Sequence, residues 1–368
     1  MSILPFSAVV GNTTLKQALL LTVIDINIGG LLIKGFRGSA KSTLARALAE
    51  VAGIESDKFV LLPLGADEAR LLGSIDLQNV LDNGQVSFRP GLLHRAHQGI
   101  LYVDEINLLS DPLVDLLLDV CGSGINTIER DGISTSHPAK FVFIGTMNPD
   151  EGELRPQLLD RFGLCVQLEQ ALDVEQRMQV VERRLRFDAD PAAFIEHYRD
   201  QQSQLIEQVR IARQRLTDIR VSNDCQRYAC ETCLQAGVEG VRADITLRRA
   251  AVAFAAWQGL SEVDHACIDS VAEWVLAHRR PLHHHSTAPS ETKAVDSNQL
   301  HSEKPRYEDA SSDSGDASAQ ASSGPEAKSG EWGEMPPQYV PVGRTRHIDK
   351  VLPCEPTEKK NRKIDSAW

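Results

Sequence analysis

The chain has 368 residues, 51 acidic against 39 basic, and a formal net charge of −12. That length holds about two domains and a tail, and the acidic balance gives no general attraction to nucleic acid or anionic lipid. No basic segment leading into a long apolar core opens the chain, and no run approaches the ~18 apolar residues that span a bilayer. Neither nucleic acid nor membrane is therefore an expected partner, and a cytoplasmic protein is expected. Seven cysteines, an odd number scattered along the chain, fit a reducing compartment better than a disulfide framework.

In chain order, "TLKQALLLTVID" predicts an amphipathic helix and "GGLLIKG" a buried strand running into a glycine loop, "GFRGSAKST". "KSTLARALAEVAG" predicts the helix leaving that loop. Strand, loop and helix form the context of a phosphate-binding loop, G-x-x-x-x-G-K-[ST], except that Ala40 precedes Lys41. Such a loop aims backbone N–H groups at phosphates from a helix N-terminus. Lys41 adds a charge for the outer phosphates, and Ser42 is placed to ligate Mg²⁺. Ala40 removes no donor and no charge, and asks only for a backbone conformation open to a residue with a Cβ.

"LQNVLDNGQVSFRPG" and "NTIERDGISTSHPAKFV" place Asn83-Gly84 and Asp131-Gly132 between β-prone flanks, which predicts two hairpins with type I′ turns. Nucleotide binding needs neither, so both are expected to reach a neighbour or a pore. "GILYVDE" and "KFVFIGTMN" are short, continuously apolar strands, as in a parallel sheet covered on both faces. The first ends in Asp104 and Glu105, a pair suited to hold Mg²⁺ and to orient or deprotonate an attacking water; solvated strand-end acids are the bland reading. The second ends in Asn148, fit to hold that water, although Asn before Pro149 is also an ordinary turn. "EGELRPQLLDRFG" then supplies Arg155, Asp160 and Arg161.

From "ALDVEQRMQVVERRLRF" onwards helices are predicted almost throughout: a long polar one over "DPAAFIEHYRDQQSQLIEQVRIARQRL", then three shorter ones, with Ser261 and Asp264 at N-cap spacing for the last. Cys225, Cys230 and Cys233 fall on the first of the three. Without a second Cys or His pair at zinc spacing, they read as thiols on a helix face. The run His283, His284 and His285 reads as a solvated junction. Beyond it the chain is rich in Ser, Ala, Gly and Asp and is expected to be disordered. The predicted organisation is an α/β nucleotide-binding domain with two hairpins at 1–170, a helical linker at 171–222, a helical lid at 223–285 and an acidic tail at 286–368.

Residues 5–282 resemble the AAA+ ATPase subunit of magnesium chelatase and of related cobalt chelatases. "GILYVDEINLL", "LVDLLLDV", "ERDGIS", "HPAKFVFIGTMNP" and "EGELRPQLLDRFG" are similar to that family's segments, in its order. The resemblance implies a P-loop AAA+ core with an all-α lid, a hexameric ring, and ATP and Mg²⁺ as cofactors. It implies an ATP-binding set of Gly35, Gly38, Ser39, Ala40, Lys41, Ser42 and Thr43, with Ser42 and Asp104 on the metal. It also implies Glu105 and Asn148 (sensor 1) as catalytic, Arg161 as the arginine finger on a neighbour's ATP with Arg155 as a second candidate, and Arg242 as sensor 2 with Arg249 as its alternative. The hairpins match the family's insertions in helix 2 and before sensor 1. The implied partners are a large tetrapyrrole-binding chelatase subunit and a von Willebrand A-domain subunit, the motor driving insertion of Mg²⁺ or Co²⁺ into a tetrapyrrole. Two departures stand out. The family's ATPase subunit has Gly at the place of Ala40, and the tail resembles the linker that in the family's D subunit precedes a von Willebrand A domain; it is expected to dock such a partner. The alternatives are a MoxR-like chaperone for a von Willebrand A-domain protein and a ring scaffold that binds ATP without turnover.

Overall fold

The computed structural model describes residues 3–36, 38–76, 87–130, 133–168 and 173–280. The chain divides into the compact units Met1–Pro289 and Ser290–Trp368, and the described residues all fall in the first. The expected turns at Asn83-Gly84 and Asp131-Gly132, the histidine run and the tail lie outside the described residues.

Helix α1 (Thr13–Ile24) leads into β1 (Leu31–Lys34), the loop and α2 (Lys41–Val51). After β2 (Phe59–Leu62) and α3 (Glu68–Leu72), strands β3 (Gly73–Asp76) and β4 (Ser87–Pro90) pair antiparallel. Then come α4 (Leu92–Ala96), β5 (Ile100–Val103) and α5 (Asp111–Ser123), and the antiparallel pair β6 (Ile125–Arg130) and β7 (Ile133–Pro138). These two pairs are the flanks of the expected hairpins. Strand β8 (Val142–Met147), α6 (Pro156–Leu159) and β9 (Leu164–Gln167) close the α/β part.

Five strands form one parallel sheet in the order β2-β5-β8-β1-β9. Every residue of β5 and β8 is buried, so both faces are covered and the strands read as continuous apolar runs. Helix α1 corrects its expectation. It is not amphipathic: Leu15, Ala18, Leu19, Leu20, Leu21, Val23 and Ile24 are buried around most of its circumference, because it packs against α2, β1 and β9 and against two later helices as well.

The helical part comprises α7 (Val174–Ala189), α8 (Pro191–Arg215), α9 (Asn223–Gln235), α10 (Arg242–Gln258) and α11 (His265–Leu276). Asp264 caps α11 by accepting the Cys267 N–H at 2.8 Å, whereas Ser261 lends its carbonyl to Arg220 in the preceding loop. Helix α8 contacts α1, α2 and α10, and Arg213 ties it to the α/β part by donating to the carbonyls of Val23 (3.0 Å) and Ala52 (2.9 Å). One hydrophobic cluster runs from the sheet through α10 and α11, so sheet and lid share a core. No helix among the described residues is long and apolar enough to cross a membrane.

Candidate functional site

Strand β1 delivers Gly35, whose N–H donates to Met147 O at 3.0 Å, and the chain loops back to start α2 at Lys41. The Lys41 ammonium is folded onto the loop's own carbonyls, those of Gly35 and Phe36 (3.2 Å). Ala40 corrects its expectation: its backbone stands at φ 61°, ψ 18°, in the left-handed region. There a Cβ crowds the following carbonyl, which glycine avoids. The loop is therefore built with a local strain that leaves its N–H donors intact. Ala40→Gly is expected to raise stability by about 1 kcal/mol and to leave ATP affinity within about twofold, since no donor changes. Urea unfolding with an unchanged m value measures the first; a lowered midpoint would refute it.

Asp104 and Glu105 follow β5, whose register sets Val103 opposite Gly145 on β8. One position on, the Thr146 hydroxyl donates to Asp104 Oδ1 at 2.5 Å and accepts the Glu105 N–H at 3.1 Å. A single threonine thus holds the Asp104 carboxylate and the Glu105 backbone. Glu105 itself lies at φ 52°, a left-handed kink that turns the chain sharply out of the strand. The Tyr102 hydroxyl donates to Asp104 Oδ1 at 3.2 Å. Burial first, then Asp104, pushes this phenol well above its ordinary value, while hydrogen bonds with Thr146 and Ser42 act the other way. Burial lowers the Lys41 ammonium from its ordinary value, and Asp104, Glu105 and Glu151 oppose that by attraction. Strand β8 stands between β1 and β5 in the parallel sheet, so the loop and the strand-end acids leave the same edge of that sheet.

Asn148 follows the Met147 that pairs with Lys34, so it stands beside the loop's entry; it is 7% exposed, and its Oδ1 accepts the Asp150 N–H at 3.3 Å. Gly38, Ser39, Ala40 and Thr43 line a cavity of about 500 Å³ whose other wall is Val9, Val10, Leu168 and Val180. Sequence reasoning missed that apolar wall, Tyr102, Thr146 and Glu151. The hydroxyls carried a signal only through the parallel pairing of β5 and β8.

The arginines lie elsewhere. Arg161 pairs with Asp115 and, at 2.8 Å, with Asp119, while Arg155 pairs with Asp111 at 2.6 Å, all three acids on α5. Arg242 bonds Asp160 at 3.1 Å. Arg161, Arg242 and Arg249 line a second cavity of about 720 Å³, which shares no lining residue with the first. Arg249 donates to Asn27 O at 2.6 Å. Beneath them sits a residue the sequence did not reveal: Arg279, its side chain 1% exposed, reaches Asp160 at 3.3 Å and the carbonyls of Asp160 and Gly163 at 3.2 Å. His278 joins it by donating to Phe162 O at 3.1 Å; burial holds its imidazole down at about 3, hence neutral. A Cβ on Gly163 would fall 2.2 Å from Ile28 O, so this turn is pressed against the start of β1. The lid thus fixes the segment that presents Arg161.

Comparison with known proteins accords with this layout. A model of the AAA domain (dynein-related subfamily) matches residues 30–162, and one of the AAA lid domain matches residues 226–299. The chain is 49% identical over 280 residues to an uncharacterised protein of Mycobacterium tuberculosis, covering 75% of this chain and 44% of that longer relative. A solved structure from Cytophaga hutchinsonii shares the fold, with a TM-score of 0.54 at 19% identity over 74% of this chain and 83% of that one. With the magnesium-chelatase 38 kDa subunit of Rhodobacter capsulatus the identity is 43% over 307 residues, covering 75% of this chain and 88% of that subunit. The chain belongs to the AAA ATPase-subunit family of magnesium chelatases.

Proposed function

We propose that this chain is the ATP-hydrolysing motor of a metal chelatase, assembled as a ring and driving a large partner subunit that inserts Mg²⁺, or in a related enzyme Co²⁺, into a tetrapyrrole. The observation that carries the reading is the placing of the Lys41 loop after β1 and of Asp104 and Glu105 after β5, with β8 between the two in one parallel sheet. The kinship with magnesium-chelatase subunits favours it over a MoxR-like chaperone.

In this reading the loop N–H groups and Lys41 hold the phosphates, the lysine exchanging its loop carbonyls for phosphate oxygens. Ser42 and Asp104, hard oxygen donors, suit the octahedral preference of Mg²⁺ and would hold it. When bound, that ion neutralises charge on the outer phosphates. Glu105 accepts the proton of the attacking water, and Asn148 orients that water. Thr146 holds the Asp104 carboxylate and the backbone of Glu105.

Arg161 and Arg242 complete the site of a neighbouring subunit, because their cavity is separate from the loop of their own chain. Exposed apolar side chains flank both halves. Val174 (71%), Met178 (61%), Val181 (57%) and Leu185 (64%) form a stripe on α7 beside the loop cavity, and Val241 (72%) and Ile245 (50%) border the arginine cavity. Two unlike patches that cover each other make a head-to-tail contact, which closes into a ring; six subunits are proposed.

The partners proposed are the large tetrapyrrole-binding subunit and a von Willebrand A-domain subunit, the latter docking residues 286–368. The test is reconstitution: the purified chain, both partners, a porphyrin and Mg-ATP should give metallated porphyrin, with none when this chain is omitted. ATP turnover without metal insertion would favour the chaperone reading; ATP binding without turnover would favour the scaffold.

A further inference from the structure

The lid carries a second set of metal-ligating side chains, remote in sequence from the nucleotide loop. Asp224 and Cys225 lie in the first turn of α9 and His265 opens α11. One oxygen of Asp224, the Cys225 sulfur and one ring nitrogen of His265 all lie within 4.8 Å of one another. His265 Nε2 is 2.9 Å from Asp224 Oδ2. The Cys225 thiol is buried and donates to Val263 O at 3.1 Å, while the Asp224 and His265 side chains remain 78% and 48% exposed.

Their backbones are fixed. Ser222 caps α9 by accepting the Cys225 N–H at 3.1 Å, and Asp264 caps α11. The Tyr228 ring stacks on the His265 imidazole at 4.2 Å between centroids and 16° between planes, and its hydroxyl donates to Asp269 at 2.8 Å. Ligands on rigid elements with an oriented imidazole are what a metal site requires.

A tetrahedral ion with a sulfur at about 2.3 Å and nitrogen or oxygen at about 2.0–2.1 Å separates its ligands by roughly 3.3–3.6 Å. The Asp224–His265 pair, at 2.9 Å, has to open slightly to reach that spacing, and both side chains face solvent and are able to turn; every separation in the cluster is at most 4.8 Å. One thiolate, one imidazole and one carboxylate suit Zn²⁺ or Co²⁺, not the all-oxygen octahedron of Mg²⁺. We propose that Asp224, Cys225 and His265 form a binding site for a zinc-like divalent cation, with the fourth position open to water or to a ligand from a partner. On binding, an S–metal bond replaces the Cys225 S–H, whose proton leaves to solvent, and two metal contacts replace the Asp224–His265 hydrogen bond. The ion would staple the starts of α9 and α11. Spacing rules miss the site because its ligands stand on separate helices, 41 positions apart, and the Cys230–Cys233 pair takes no part in it.

The test uses the full reduced chain and Co²⁺ alone as the probe, in the presence of excess Mg²⁺. One equivalent should bind with a thiolate-to-cobalt charge-transfer band and the intense d–d bands of tetrahedral coordination, and Zn²⁺ should displace it. Imidazoles of the run His283–His285 would bind cobalt without a thiolate band. Cys225→Ser should abolish that band and Cys230→Ser should keep it. Because Cys225 is buried, His265→Gln at the surface serves as the second variant, and its Co²⁺ affinity should fall roughly tenfold or more. A wild-type chain without the band, a band that survives Cys225→Ser, or an unchanged affinity in His265→Gln would overturn the proposal.

Discussion

Replacing Glu105 by Gln is expected to leave ATP bound and to stop its turnover, with a loss of about 10²–10⁴ in kcat. Glutamine keeps the shape and still fits the left-handed kink, whose N–H bond to Thr146 belongs to the backbone. It loses only the capacity to take a proton. Lys41→Ala should do the opposite, removing a charged donor worth about 1.5–3 kcal/mol, or roughly 10- to 150-fold in Kd. Equilibrium binding of a fluorescent nucleotide and steady-state phosphate release, measured on both variants with concentrated protein, separate the two effects. Equal loss of binding in both would show that Glu105 shapes the loop rather than the chemistry. Turnover preserved in Glu105→Gln would show that another group accepts the proton.

Much of this site was legible in the sequence because its chemistry is local. A strand, a glycine loop and a lysine at a helix start declare themselves within a dozen residues, and so do two acids after four apolar ones. What was hidden depends on pairing between distant segments. Thr146 reads as one more residue of an apolar strand until β8 is set beside β5. Strands β2 and β9 were not foreseen: "FVLL" and "LCVQ" are too short to show a period, and their place in the sheet comes from β5 and β1. Arg279 reads as a basic residue at a helix end, yet the fold buries it against the carbonyls of Asp160 and Gly163. The apolar wall of Val9 and Val10 carries no chemical signature at all. Ala40 failed in another way: the substitution was visible, but the sign of its φ angle is a property of the folded loop.

Arg161→Ala and Lys41→Ala chains, each inactive alone, are expected to recover activity when mixed. Arg161 stands in a cavity with Arg242 and apart from Lys41, so an intact lysine on one chain has to meet an intact arginine on the next. In a random equal mixture roughly a quarter of the head-to-tail contacts combine both, which sets the expected recovery. The arginine is held meanwhile by Asp115 and Asp119, themselves 52% and 63% exposed. Exposed pairs of this kind are worth about 0–1 kcal/mol each. An arginine acting on the transferring phosphoryl group is worth about 10³–10⁵ in rate, or roughly 4–7 kcal/mol. On the proposed reading, release from α5 would cost far less than the contact across the interface returns, and the acids would park the side chain until a neighbour arrives. Arg242 lines the same cavity, so Arg242→Ala should fall into the same complementation group. Rings shown by size-exclusion chromatography to contain both variants, yet without turnover, would place Arg161 in a structural role on its own chain.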